Sequence, residues 1–157
     1  MELTIKVNGE RWDLTVAPAD VLLDVLREKV GTKSPKIGCE RGDCGSCTVV
    51  MDGRSVRSCL VLAIEADGHE VVTVEGLSYE GMSELQDLFI GNNAFQCGFC
   101  APGIVLAATE LLDNNPNPSR HDVQEALAGN LCRCTGYEPI IEAVLAAAPA
   151  RREGGSQ

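Results

Sequence analysis

Eight cysteines are the residues of this 157-residue chain whose type and spacing most plainly carry chemistry. The first four, Cys39, Cys44, Cys47 and Cys59, are spaced as C-x4-C-x2-C with a distant fourth, the pattern of plant-type [2Fe-2S] ligation. Three thiolates from one loop must then converge on a small inorganic core while the backbone curls round its sulfides. Gly38, Gly42 and Gly45 make that path sterically accessible, and the N–H groups they leave uncovered can hydrogen-bond cluster sulfur. Zinc is the alternative, but zinc sites usually pair two C-x2-C units, and C-x4-C-x2-C suits a tetrahedron poorly. The second four, Cys97, Cys100, Cys132 and Cys134, form C-x2-C, a 31-residue gap and C-x-C. Spacing is less specific here and leaves structural zinc open beside a second iron-sulfur cluster. An iron neighbour favours iron, since two adjacent clusters make an electron wire and a cluster beside a zinc does not.

The rest of the composition says what surrounds these thiols. Apolar residues make up 45% of the chain but aromatics only 4%, so ring packing supplies little of the core and cysteine ligation is expected to help hold the fold. A formal charge of -10, from 13 Lys and Arg against 23 Asp and Glu, offers no electrostatic footprint for nucleic acid or anionic lipid. No window approaches a membrane span, and the start Met1-Glu2-Leu3-Thr4-Ile5-Lys6 has neither a secretory h-region nor a twin arginine. A cytoplasmic protein without membrane contact is expected, and a reducing cytosol favours metal ligation over disulfides.

Two kinds of element must position the two cysteine sets. Residues 3 to 7 alternate, the Asn8-Gly9 turn follows, and Trp12 to Val16 alternate again, which predicts a hairpin. Asp20 is placed to cap a helix running through Val30 and stopping at Gly31. Thr48 to Met51 and Arg54 to Ser58 flank Asp52-Gly53, a type I′ hairpin signal, with Cys59 on the strand just past it, and Val71 to Val74 supplies one more strand. A mixed sheet of four or five strands packed by one helix matches a β-grasp arrangement. The period then changes. Ser83-Glu84-Leu85-Gln86 is a capping box, Pro102 fits the first turn of a helix reaching Asn114, Ser119 to Asp122 caps the next, and a fourth covers roughly Pro139 to Ala148. Cys100 lies two residues before Pro102 and Cys134 two before Gly136, so both are expected to point into the seam between antiparallel helices. The predicted class is α+β: a β-grasp ferredoxin-like domain over 1–76, a linker at 77–81, a four-helix domain over 82–148, and a polar, disordered tail at 149–157.

Three segments, Cys39-Glu40-Arg41-Gly42-Asp43-Cys44-Gly45-Ser46-Cys47-Thr48-Val49, Gln96-Cys97-Gly98-Phe99-Cys100-Ala101-Pro102-Gly103 and Gly129-Asn130-Leu131-Cys132-Arg133-Cys134-Thr135-Gly136-Tyr137, together resemble the signatures of the small iron-sulfur subunit of molybdenum hydroxylases, the xanthine oxidase family. The resemblance covers about residues 3 to 148, in the family's order. It implies a plant-type ferredoxin domain whose Cys39, Cys44, Cys47 and Cys59 ligate an outer [2Fe-2S] cluster. It implies also a four-helix domain whose Cys97, Cys100, Cys132 and Cys134 ligate an inner one, with Gln96 and Cys134 approaching the pterin of a partner. Electrons would pass from a molybdopterin centre on a large subunit through the two clusters to FAD on a medium subunit, in a dimer of heterotrimers. Ser46, Ala101 and Ser34-Pro35 depart from common family residues and affect no ligand.

Other polar residues read more plainly. His69, in Asp67-Gly68-His69, and His121, in a first helical turn, lie in no catalytic pattern and are expected at the surface. Arg133 reads equally as a surface charge or as a partner for a carboxylate. No nucleotide-binding glycine motif is present, which leaves substrate chemistry to a partner. Two other classes compete: a zinc-held binding module, which would be colourless, and a free ferredoxin, which would need only the first 76 or so residues.

Overall fold

The computed structural model describes residues 1–78 and 81–154, with side chains through residue 148. Strands β1 (Glu2–Val7) and β2 (Glu10–Thr15) form the expected hairpin, pairing Ile5 with Trp12 and Val7 with Glu10. Alternation directs Leu3, Ile5 and Val7 inward, each no more than 2% exposed. β3 (Thr48–Met51) and β4 (Arg54–Arg57) flank Asp52 and Gly53 at φ +47° and +81°, as a type I′ turn requires. With β5 (Glu70–Val72) they complete a mixed sheet in the order β2-β1-β5-β3-β4, in which only the β1–β5 pairing is parallel.

The segment packed on this sheet begins as α1 (Leu22–Asp24) and widens into a π-helical stretch, Val25–Val30, which Gly31 closes in the left-handed conformation at φ +89°. Leu22, Val25 and Leu26 pack with Leu3, Ile5, Val7, Val49 and Val71 in one apolar cluster. Three local expectations need correction. Asp20 does not cap the helix: its carboxylate accepts from Ala17 N at 2.9 Å, while Leu22 N finds Val61 O at 2.8 Å. Cys59 sits not on a strand but on a 3-10 turn, Ser58–Leu60, because Ser58 N and Oγ both donate to Cys47 O and end the ladder. Val74 opens a short helix, α2 (Val74–Leu77), because Asn8 Oδ1 takes Thr73 N at 2.8 Å and closes off β5.

The helical half follows its caps. α3 (Glu84–Gly91) and α5 (Arg120–Leu127) start from Ser83 and Ser119, whose hydroxyls accept from Gln86 N and Asp122 N. α4 (Ala101–Asn114) carries Pro102 in its first turn. α6 (Glu138–Gly154) runs six residues beyond the expected stop at Ala148, so the tail expected to be disordered is helical as far as Gly154. Its Arg151-Arg152-Glu153 are good helix formers, and the helix meets its first glycine only at Gly154; residues 155–157 lie outside the described residues. Phe89, Ile104, Leu112, Val123, Leu127, Ile140 and Val144 build a second apolar cluster, separate from that of the sheet. Of the expected linker, Tyr79 and Glu80 lie outside the described residues, and Leu77 closes α2. Among the described residues, no helix is long and apolar enough to cross a membrane.

Candidate metal centres

The first cysteine set is gathered by backbone. The loop preceding Cys39 is pinned by Glu75 of α2, whose carboxylate accepts from Lys33 N at 3.0 Å, Ser34 N at 2.9 Å, Ser34 Oγ and Thr73 Oγ1. Burial opposes the charge on Glu75, yet these donors hold its carboxyl below the usual range. Cys47 Sγ lies 3.3 Å from Cys59 Sγ, both buried against Leu23 of α1, and Cys44 N approaches Cys39 Sγ at 3.4 Å. A Cβ on Gly38 would come within 2.7 Å of Cys44 Sγ, so the sulfur occupies the space that any other residue would fill.

The second set is gathered by helix ends. Cys100 stands at the N-terminus of α4, and Cys97 reaches Cys134 with 3.7 Å between sulfurs. Tyr137 fastens the Cys132–Cys134 turn: Cys132 N donates to its hydroxyl at 2.8 Å, and that hydroxyl donates to Asn130 O at 2.9 Å. Gln96 Nε2 donates to Cys134 O at 3.1 Å. Of the pair expected in the helix seam, Cys100 is buried but Cys134 is exposed, because its loop lies outside the helix junction and is held there by Gln96 and Tyr137.

All eight thiols are free, and the 3.3 and 3.7 Å separations far exceed the ~2.05 Å of a disulfide. Their protonation is uneven. Backbone N–H groups, led by that of Arg41, lower Cys39 to about 7. Burial pushes Cys59 up to about 11 with help from Cys47, and Cys100 up to about 12 with help from Cys132. Burial also opposes ionisation of Cys132, but the Thr135 hydroxyl and N–H outweigh it and the net shift is downward. Thiolate ligation of a metal would therefore have to expel the protons that burial holds on Cys59 and Cys100. Two converging groups of four sulfurs, one with a glycine cradle, fit soft thiophilic metal chemistry and give no place to a disulfide framework.

The two sets are joined by a polar junction that spacing did not reveal. Leu131 N donates to Cys44 O at 2.9 Å, so a cysteine of one set bonds the residue preceding Cys132 of the other. Asn130 Nδ2 donates to Gly45 O and Thr48 Oγ1, both at 3.1 Å, and Arg57 donates to Thr48 Oγ1 at 2.8 Å and to Gly129 O at 2.7 Å. Asn130 and Thr48 lie inside the quoted motifs, but Arg57 sits on an ordinary-looking strand and gave no signal. His69 approaches Asp52 beside the β3–β4 turn, His121 is exposed, and Arg133 is exposed, as a surface charge. His121, Asp122 and Glu125 gather on α5, but Asp122 is occupied in capping that helix.

Comparison with known proteins gives the same picture. Residues 7–101 match the 2Fe-2S iron-sulfur cluster binding domain, and residues 73–145 match the [2Fe-2S] binding domain. The nicotine 6-hydroxylase small subunit of Paenarthrobacter nicotinovorans is 50% identical over 145 residues, covering 92% of this chain and 88% of that protein. The structure of quinoline 2-oxidoreductase from Pseudomonas putida 86 superposes with a TM-score of 0.94 at 50% identity, over 98% of this chain and 97% of that one. Aldehyde oxidoreductase from Desulfovibrio gigas superposes at 0.92 and 40% identity over 98% of this chain, which spans only 17% of that longer polypeptide. With identities this high over nearly the full length, the chain belongs to the small [2Fe-2S] iron-sulfur subunits of the molybdenum hydroxylase family of oxidoreductases.

Proposed function

We propose that this chain relays electrons from a molybdopterin centre on a large subunit, through two [2Fe-2S] clusters, to FAD on a medium subunit. The observation that carries this reading is the hydrogen bond from Leu131 N to Cys44 O, which holds two complete four-thiol sets against each other inside one chain. A zinc-held module has no use for such contiguity, and a free ferredoxin has no use for the second set. In this reading residues 1–76 form a β-grasp unit, 77–81 the connection and 82–148 a four-helix unit. Cys39, Cys44, Cys47 and Cys59 ligate one cluster, and Cys97, Cys100, Cys132 and Cys134 the other. Each cluster, when bound, supplies one-electron oxidation and reduction. The chain's own contribution is positional: Glu75 and Gly38 shape the first loop, Tyr137 the second, and Asn130 and Arg57 fix one against the other. The complex is read as a cytoplasmic dimer of heterotrimers, with substrate chosen on the large subunit.

Iron analysis and low-temperature electron paramagnetic resonance test this directly. About four irons per chain and two distinct signals on reduction are expected, two irons for each four-cysteine set. Stoichiometric zinc with no signal would end the reading.

Gln96 and Cys134 are assigned to the face that meets the pterin. Both are exposed, and Phe95, Phe99 and Leu131, within three residues of one or the other in sequence, are 37%, 45% and 55% exposed, apolar surface of the kind partners bury. The expected outcome for Gln96→Ala in the holoenzyme is two intact signals and slower substrate-driven reduction of the second set in stopped-flow absorbance, with dithionite reduction unchanged. Unaltered substrate-driven kinetics would confine Gln96 to holding the Cys134 carbonyl.

A further inference from the structure

Besides Arg57 at the junction, a second cation, Lys36, reaches from the first cysteine loop toward the second. Lys36 N donates to Ser46 O at 2.9 Å, which fixes its backbone to the stretch between Cys44 and Cys47. Its side chain turns the other way. Nζ donates to Ser34 O at 3.2 Å and stands 5.5 Å from the centroid of the Phe99 ring, and Phe99 lies within the Cys97-x2-Cys100 turn. The ammonium is thus held between a backbone carbonyl and an aromatic ring, the arrangement of a cation–π contact. In a chain of net charge -10, a half-buried cation tethered to one metal loop and projecting over the other needs a reason.

We propose that Lys36 is a positioning residue that sets the two clusters apart in reduction potential, its fixed positive charge favouring the electron on the group held by Cys97, Cys100, Cys132 and Cys134. The inference rests on the cluster assignment above. Reduction of that group adds one electron and moves no proton, so the whole change is one unit of negative charge, which a nearby cation stabilises. In the assembly the electron comes from the partner's redox centre; in a titration it comes from dithionite. Selectivity follows from direction: the charged end of Lys36 lies over the second set's turn and meets the first set's loop only at Ser34 O, five residues ahead of Cys39. The charge itself feels the second set. Burial pushes the Lys36 ammonium down from its usual value, and Cys100 and Cys97 are among the groups that push it back up. Glu75 also pushes it up, but that carboxylate is already shared among Lys33 N, Ser34 N, Ser34 Oγ and Thr73 Oγ1. Arg27, which donates to Pro35 O at 2.7 Å, adds a second positive charge behind the same loop.

The test is a redox titration of the full chain carrying both clusters, monitored by electron paramagnetic resonance, with the two signals assigned by the Cys44→Ala variant. Lys36→Met, which keeps the length and removes the charge, is expected to shift the second set's midpoint to lower potential with a smaller movement of the first. Lys36→Arg is expected to restore most of the wild-type separation. If Lys36→Met fails to assemble, Lys36→Gln is titrated in its place with the same expectation. An unshifted second midpoint, or an equal shift of both, overturns the proposal. A chain without iron overturns the cluster assignment instead, so the two failures are distinguishable.

Discussion

Cys44→Ala is expected to remove one of the two iron-sulfur signals and about half the iron while leaving the other signal intact. Cys44 supplies one of four thiols to its set, and its sulfur fills the cradle left by Gly38. Loss of that thiol would leave three sulfurs, too few to close the coordination of two irons. The link to the second set does not go through the sulfur. It is the Cys44 carbonyl that accepts from Leu131 N, and alanine keeps it. The apolar clusters are likewise separate: Leu3, Ile5, Leu26 and Val49 pack in the sheet, and Ile104, Leu112, Val123 and Ile140 among the helices. Visible absorption, iron analysis and electron paramagnetic resonance of the reduced variant measure the outcome, and circular dichroism reports the fold. Loss of both signals from a chain that remains folded would contradict the independence of the two sets. Retention of both would remove Cys44 from the ligands.

The gathering of the cysteines was legible in the sequence because spacing is a covalent property: four thiols can meet only where the intervening loop allows, and C-x4-C-x2-C constrains that strongly. The hairpins and helix starts were legible for local reasons too. Asp52-Gly53 sits at a turn that needs two positive φ values, and Ser83 and Ser119 offer hydroxyls one turn ahead of a free N–H. What escaped was decided at a distance. Asp20 looked like a cap, but the first N–H of α1 is taken by Val61 O, 39 positions along the chain. Cys59 was expected on a strand until Ser58 folded back on Cys47 O. The junction of Arg57, Thr48 and Asn130 joins residues up to 82 apart, whose types carry no chemistry until the fold brings them together. Glu75 is the same case: nothing near it in sequence marks it as the anchor of the loop that opens with Lys33.

Gly45→Ala is expected to weaken both cysteine sets at once, because the junction has no room for a side chain there. Gly45 lies at φ +74°, where an L-residue costs roughly 1–2 kcal/mol. Its added Cβ would also stand 2.3 Å from Gly129 O, 2.7 Å from Asn130 Nδ2 and 2.9 Å from Asn130 Cα. Two of these three atoms are backbone and cannot rotate aside, and forced packing of this kind costs about 1–3 kcal/mol. Together the two effects reach about 2–5 kcal/mol, a large share of the roughly 5–15 kcal/mol that holds a domain folded. Relief requires Gly129 and Asn130 to retreat. That motion draws Leu131 N away from Cys44 O and breaks the Asn130 bonds to Gly45 O and Thr48 Oγ1. Gly53→Ala is the matched control: its φ of +81° imposes a comparable backbone penalty, but nothing lies within 4 Å of the new Cβ. Thermal unfolding of both variants, with iron content and both resonance signals recorded, separates backbone strain from the junction. The Gly45 variant is expected to melt lower than the Gly53 variant and to lose or broaden both signals, while the Gly53 variant keeps both. Equal melting with both signals unchanged would mean that the two metal loops do not depend on their contact.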